Sequence, residues 1–277
     1  MLLPIEERKR LLKEYPIMFS RLIVMGFPVN KMLEKSALIV GAGGLGTIIA
    51  ESLARMGIGE LIIVDRDVVS PENFNRLGYY WDDVGKPKAK ALAEKLDRLR
   101  NAGGIPEKFR LKLEAYKADI VGWDLLDNLV KKVDIVFSAL DNDIARRELN
   151  YTIVLYRKPM ISGATSIDGF SGTILTVIPG VTPCYECYYH RTTVRVRNVE
   201  RVGGCDASIA TTMSIIATLM VDQGVKVLLN YGEIYPLIKV YLKEGIEIKK
   251  LRGLKPNPNC PVCKLLLNAL CLPTKRL

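Results

Sequence analysis

The chain has 277 residues, 49% of them apolar, and carries 40 Lys and Arg against 30 Asp and Glu for a net charge of +10. That length makes one large domain or two small ones. The basic excess admits a nucleic-acid partner, but Lys and Arg are spread along the chain without an aromatic-interleaved cluster, so nucleic acid is not expected. Met1–Glu14 holds Glu6, Glu7, Lys9 and Arg10 and no apolar core segment. It does not read as a signal peptide, and a cytoplasmic chain is expected.

After an N-terminal helical segment (residues 1–35), Ala37-Leu-Ile-Val40 reads as a buried strand. A glycine-rich turn follows, Gly41-Ala-Gly43-Gly44-Leu-Gly46, and then an apolar-periodic helix from Thr47 to Met56. Glycines let a backbone turn tightly and approach a phosphate, and the helix N-terminus turns unpaired N–H groups toward that anion. The loop alone does not distinguish NAD, FAD and ATP. Leu61-Ile-Ile-Val64 reads as the next strand, and Asp65 closes it nineteen residues after Gly46. An acid there accepts hydrogen bonds from a ribose.

Beyond Asp65 come Asp67, Asn73, Asn75 and Arg76, and then Gly85-Lys86-Pro87-Lys88. Fixed donors and cations at this point suit a triphosphate, which needs cations as well as N–H groups, better than a dinucleotide. Val133-Asp-Ile-Val-Phe137 reads as another buried strand whose exit carries Asp141 and Asn142. Asp141 lies on the ligand side of the sheet, where Mg²⁺ would link a carboxylate to phosphate oxygens. The alternative is that Asp141 N-caps the helix Ile144–Tyr156.

The second half changes character. Gly169–Pro179 and Tyr241–Ile248 read as antiparallel strands. Ser208–Leu229 is apolar but broken by Thr211, Thr212, Asp222 and Gln223. It reads as too short and too polar for a bilayer span, hence as a core helix. Of six cysteines, four form Cys184-Tyr-Glu-Cys187 and Cys260-Pro-Val-Cys263. Two such pairs offer four thiolates with the spacing of a structural zinc site. Disulfides or a redox dithiol are the alternatives. Cys205 stands alone after Gly203-Gly204, before the long helix and downstream of Arg191, Arg195, Arg197 and Arg201. A thiol at a helix N-terminus beside cations is stabilised as thiolate and suits a nucleophile. The alternative is a buried cysteine capping a core helix. Tyr188–Gly204 reads as a loop, and Cys271 has no setting that suggests chemistry.

Taken in order, Gly41–Gly46, Asp65, Glu72-Asn-Phe-Asn-Arg76, Gly85-Lys-Pro-Lys88 and Leu140-Asp-Asn142 resemble the adenylating enzymes that activate ubiquitin-like proteins. The resemblance covers about residues 18 to 266. That family (the MoeB/ThiF superfamily) includes the molybdopterin and thiamine sulfur-carrier adenylyltransferases and the ubiquitin-activating enzymes. The Cys205 segment is similar to that of the small single-chain activating enzyme of the ubiquitin-fold-modifier pathway.

The resemblance implies attack of a C-terminal glycine carboxylate on the α-phosphate of ATP, releasing pyrophosphate. Asp65 would hold the ribose, Asn73, Arg76 and Lys88 the phosphates, and Asp141 the Mg²⁺, with Asp67 and Asn142 beside them. Arg21, in Phe19-Ser-Arg-Leu-Ile23, resembles the family's N-terminal arginine that reaches the neighbouring subunit's ATP, which implies a homodimer. Cys205 would then carry the ubiquitin-like protein as a thioester. Alternatively the reaction stops at the acyl-adenylate for sulfur transfer, and the next partner is a conjugating enzyme or a sulfur donor accordingly.

The expected fold is α/β: a Rossmann-like parallel half (residues 36–160) continued by an antiparallel half (161–277) in one mixed sheet, forming a single adenylation domain with a four-cysteine zinc site. Two other classes compete. An NAD-dependent oxidoreductase leaves Asn73, Arg76 and Asp141 unexplained, and a zinc-stabilised nucleic-acid module leaves the nucleotide motifs vestigial.

Overall fold

The computed structural model describes residues 2–75, 78–191 and 209–265. The chain opens with helices α1 (Ile5–Glu14), α2 (Ser20–Val24) and α3 (Val29–Met32). It then builds β1 (Ser36–Val40), α4 (Gly44–Arg55), β2 (Glu60–Asp65), α5 (Lys88–Arg100), β3 (Lys112–Lys117), α6 (Leu126–Lys132), β4 (Ile135–Ser138), α7 (Asp143–Leu155) and β5 (Met160–Thr165). Strand β6 (Ser171–Val177), helices α8 (Tyr185–Arg191) and α9 (Ala210–Leu229), and strands β7 (Leu237–Tyr241) and β8 (Glu247–Leu251) complete it.

All eight strands join one sheet in the order β3-β2-β1-β4-β5-β6-β7-β8. The pairs from β3 to β5 are parallel and those from β5 to β8 antiparallel. The mixed α/β sheet expected from the sequence is therefore present. The change of direction does not fall at residue 160, however. β5 serves both halves, running parallel to β4 and antiparallel to β6.

Strands β1, β2 and β4 are apolar along their length because helices cover both faces. Ile39, Ile63 and Phe137 face α4 and α9, whereas Leu38, Ile62 and Val136 face α6 and α7. Strand β3, Lys-Leu-Glu-Ala-Tyr-Lys, escaped the sequence reading because it is a charged edge strand, half exposed. Charge on an edge discourages pairing with another chain. The strands flanking the second hairpin also lie outward of the expected segment, since Tyr241 pairs with Glu247 and the residues between them form the turn.

Helix α9 is 20 residues long and apolar enough to cross a membrane, so length does not exclude a span. Packing decides: Met213, Ile216, Ala217, Met220 and Val221 are buried in the core shared with α4, β5 and β6. Arg100 is an unexpected core residue, fully buried beneath the Phe19 ring. Its guanidinium donates to the carbonyls of Ala54 (2.5 Å) and Phe109 (2.8 Å). It thereby joins the end of α4 to the approach to β3. Burial without a carboxylate pushes its pKa down to about 10.

Candidate nucleotide-binding site and cysteine cluster

The sheet order reverses direction between β1 and β4, and the loops leaving the two strands diverge there. Such a switch point leaves a crevice at the carboxyl ends of the strands. A cavity of about 780 Å³ opens at that place. Gly41, Gly43, Gly44, Asp65, Asp67, Asn73, Lys88, Asp141 and Asn142 all line it. The wall from the antiparallel half is Gly163, Ala164 and Thr165 of β5 with Met213 of α9.

The glycine loop has a specific build. Gly41 has φ of +97°, and a Cβ there would lie 2.4 Å from the Ala139 carbonyl oxygen. Gly46 does not face the cavity. A Cβ on it would meet the Gly41 carbonyl oxygen at 1.8 Å, so this glycine closes the loop onto its own helix. Helix α4 starts at Gly44, three residues earlier than the apolar period indicates, and its first turn has no side-chain cap. Its leading N–H groups are the kind of donor an anion takes up.

Asp65 fixes this loop from below. Its Oδ2 accepts from the Ala42 N–H at 2.6 Å and its Oδ1 from the Asp67 N–H at 2.8 Å. Burial raises its pKa from the ordinary carboxylate value, and the two N–H donors and Lys88 only partly oppose this. Lys88 opens α5, is largely buried, and points its ammonium at Asp67 Oδ2, 2.9 Å away. Asn73 lies in the turn Pro71–Asn75 and uses its Oδ1 to accept from the Ser70 N–H at 3.0 Å, so its amide N–H₂ is the donor end left for other partners.

Asp141 is exposed at the cavity mouth. It does not cap α7, as one reading of the sequence allowed. Asn142 does, its Oδ1 accepting from the Ile144 N–H at 2.8 Å and the Ala145 N–H at 3.2 Å. A β-region residue one position closer to the helix is the one whose side chain reaches those N–H groups.

Two residues of the site escaped the sequence reading. Tyr79 is buried, and its hydroxyl donates to the Ala42 carbonyl at 2.6 Å and the Lys88 carbonyl at 3.2 Å. It ties the glycine loop to the start of α5, and burial pushes its phenol far above the ordinary value. Nothing in the local sequence marks it. Arg146 lines the cavity from α7. A cation one turn into the helix after Asp141 is the signal that could have found it.

Arg76, Cys205, Arg195, Arg197, Arg201 and Cys271 lie outside the described residues, as does the side chain of Arg191. The segment read as a loop from Tyr188 begins instead within α8. Arg21 is described. It sits exposed on α2 and does not line its own chain's cavity.

The four paired cysteines converge although the pairs are 76 residues apart. Their Sγ atoms all lie within 4.8 Å of one another. Cys184 is 3.8 Å from Cys187 and 3.7 Å from Cys260, and Cys187 is 3.5 Å from Cys263. Zn–S bonds of about 2.3 Å in a tetrahedron place sulfurs about 3.8 Å apart. The set therefore fits a tetrahedral metal such as zinc. The Asn257 N–H also points at Cys187 Sγ, 3.3 Å away. The Cys184 thiol donates to Cys187 and is pushed up to about 12, while Cys187, which receives that bond, is held low. A cation bound among the four sulfurs favours the thiolate form of each.

Switch-point cavity, glycine loop and strand-end acid together define a Rossmann-like protein with a nucleotide-sized cleft. The chain belongs to the ThiF family, whose model matches residues 17–262. It is 33% identical over 259 residues to the ubiquitin-like modifier-activating enzyme 5 of Arabidopsis thaliana, covering 87% of this chain and 59% of that protein. The enzyme of the same name in Dictyostelium discoideum is 32% identical over 256 residues, with 87% and 66% covered. The chain thus spans about three fifths of the length of these curated relatives. Among solved structures, E. coli MccB with ATP superposes with a TM-score of 0.71 at 23% identity, over 94% of this chain and 82% of that one. PaaA superposes with a TM-score of 0.65 at 20% identity, over 91% and 76%. These last two likenesses are of fold.

Proposed function

We propose that this chain is an ATP-dependent activating enzyme that adenylates the C-terminal glycine of a ubiquitin-like protein. The observation that carries the reading is the gathering of Gly41, Gly43, Gly44, Asp65, Asn73, Lys88 and Asp141 around one cavity, in a chain whose relatives are named as such enzymes. In the reaction the glycine carboxylate attacks the α-phosphorus of ATP. The bond from that phosphorus to the bridging oxygen breaks, and pyrophosphate leaves.

Each residue has a role in that scheme. The N–H groups of the glycine loop and of the first turn of α4 receive phosphate oxygens. Asp65, already held by two backbone donors, has lone pairs left to accept a ribose hydroxyl. Lys88 exchanges Asp67 for phosphate oxygens, so Asp67 keeps the ammonium aimed at the cavity before the nucleotide arrives. Asn73 presents its amide donors, and Arg76 adds a cation. Asp141 holds Mg²⁺, which when bound neutralises charge on the phosphates. Zinc is the metal we assign to Cys184, Cys187, Cys260 and Cys263, in a reducing, cytoplasmic setting.

Three further elements complete the reading. Arg21, exposed and away from its own cavity, acts on the ATP of the second subunit of a homodimer. The Cys205 thiolate attacks the carbonyl of the acyl-adenylate, forming a thioester as the acyl–phosphate bond breaks and AMP leaves, and a conjugating enzyme takes the acyl group onward. If the reaction instead ends at the acyl-adenylate, a sulfur donor follows. Exchange of labelled pyrophosphate into ATP tests the core claim. It should require a protein ending in glycine and vanish in Asp141→Ala. Exchange of equal size in wild type and Asp141→Ala sinks the assignment.

A further inference from the structure

A series of polar contacts runs from Tyr185, which sits within the first cysteine pair, to Leu140 at the cavity. Tyr185 lies between Cys184 and Cys187, is only 8% exposed, and donates its hydroxyl to Asp143 Oδ1 at 2.7 Å. Asp143 Oδ1 stands 3.7 Å from Arg146 Nη1. Arg146 turns Nε, at 2.9 Å, and Nη2 onto one acceptor, the carbonyl oxygen of Leu140. Leu140 is the residue before Asp141. The Tyr185 N–H also donates to Asn150 Oδ1 at 2.9 Å, so this residue grips α7 at two points two turns apart.

We propose that Tyr185 is a positioning residue for the Asp141 loop, coupling the four-cysteine site to the carboxylate that meets the divalent cation. The proposal rests on the adenylating reading of the cavity. Two donors from one planar guanidinium fix the direction of the Leu140 carbonyl, and with it the peptide that leads into Asp141. Asp143 keeps that guanidinium turned to the loop. An aspartate on an exposed helix face has other orientations open to it, and the buried phenol holds it to this one. Outer partners of this kind set how well a ligand meets its metal.

ATP binding to the zinc-loaded protein, titrated calorimetrically at stepped Mg²⁺ concentrations, tests this. Tyr185→Phe and Asp143→Asn should raise the half-saturating Mg²⁺ about three- to tenfold, below the tenfold or more of residues that touch a metal ligand directly. Zinc content should stay at the wild-type value. Tyr156 makes a matching bond to Asp127 Oδ2 at 2.7 Å at the far end of α7. Tyr156→Phe should leave the Mg²⁺ requirement unchanged. An unchanged requirement in Tyr185→Phe and Asp143→Asn, or an equal shift in Tyr156→Phe, overturns the proposal alone. A wild type whose ATP binding ignores Mg²⁺ overturns the role of Asp141, and the proposal with it. If Tyr185→Phe sheds zinc, Asp143→Asn decides, since it leaves the ring between the cysteines in place.

Discussion

Replacing Cys260 by Ser should release the C-terminal segment without melting the sheet. The magnitude follows from the topology. Cys184 and Cys260 are 76 residues apart, as are Cys187 and Cys263, so a shared metal closes a long loop of the unfolded chain. Loop-closure entropy for a cross-link of that span is about 4.5 kcal/mol at 25 °C. This is a lower bound on the effect of losing the metal, because thiolate–metal bonds add to it. It is also comparable to the whole stability of a small domain. The loss concentrates where little else holds the chain. Beyond β8, Cys260 is the one described residue buried in the core, whereas β7 and β8 are held by their own ladder and by β6. Cys260→Ser and chelated wild type should therefore be cut by protease between residues 252 and 265 while the sheet signal in circular dichroism persists. Their unfolding midpoints in denaturant should fall together. A metal-free wild type with unchanged midpoint and protease resistance would refute the reasoning.

Other outcomes are expected elsewhere in the chain. Burial pushes the Asp83 carboxyl up, but the Lys95 ammonium at 2.7 Å and the Tyr80 N–H at 3.0 Å outweigh it and hold it below the ordinary value. Its contribution is therefore full above the ordinary carboxyl pKa of about 3.9 and disappears as pH falls through the lower folded value. Asp83→Asn should cost about 2 kcal/mol at pH 7. Denaturant midpoints should show that deficit shrinking below pH 4, and a deficit constant down to pH 2 would contradict it. Cys205→Ala should keep pyrophosphate exchange and lose a thiol-labile adduct with the ubiquitin-like protein. An adduct that survives the substitution assigns the thioester to another thiol, and a wild type that never forms one favours sulfur transfer. Mixing Arg21→Ala with Asp141→Ala should restore part of the activity in mixed dimers. Activity no higher than in either variant alone would remove the role of Arg21 across a dimer.

The parallel half was legible because its strands are buried on both faces and its glycine loop answers to a single geometry. Leu38-Ile-Val40 and Ile62-Ile-Val64 have no other reading once Asp65 follows. The cysteine set was legible because two Cys-x-x-Cys pairs carry their own spacing, and the sulfurs meet as expected. Features that depend on tertiary neighbours were not legible. Strand β3 is polar because it is an edge, so no apolar period announces it. The exchange of Asn142 for Asp141 as the α7 cap turns on one residue of backbone conformation. Tyr79 and Arg146 act on carbonyls of Ala42 and Leu140, and acceptors on the main chain leave no mark on the sequence. Arg100 was missed for the same reason: a buried guanidinium served by carbonyls looks, in a basic chain, like any surface cation.

The most direct test of the central claim is the product itself. The chain, a glycine-ended ubiquitin-like protein and Mg²⁺-ATP should yield, by intact-mass spectrometry under mildly acidic conditions, a partner carrying one AMP, with pyrophosphate released in equal amount. Removing the terminal glycine from the partner, or substituting Asp141→Ala, should abolish both signals. Release of orthophosphate and ADP with no AMP-bearing partner would contradict the account.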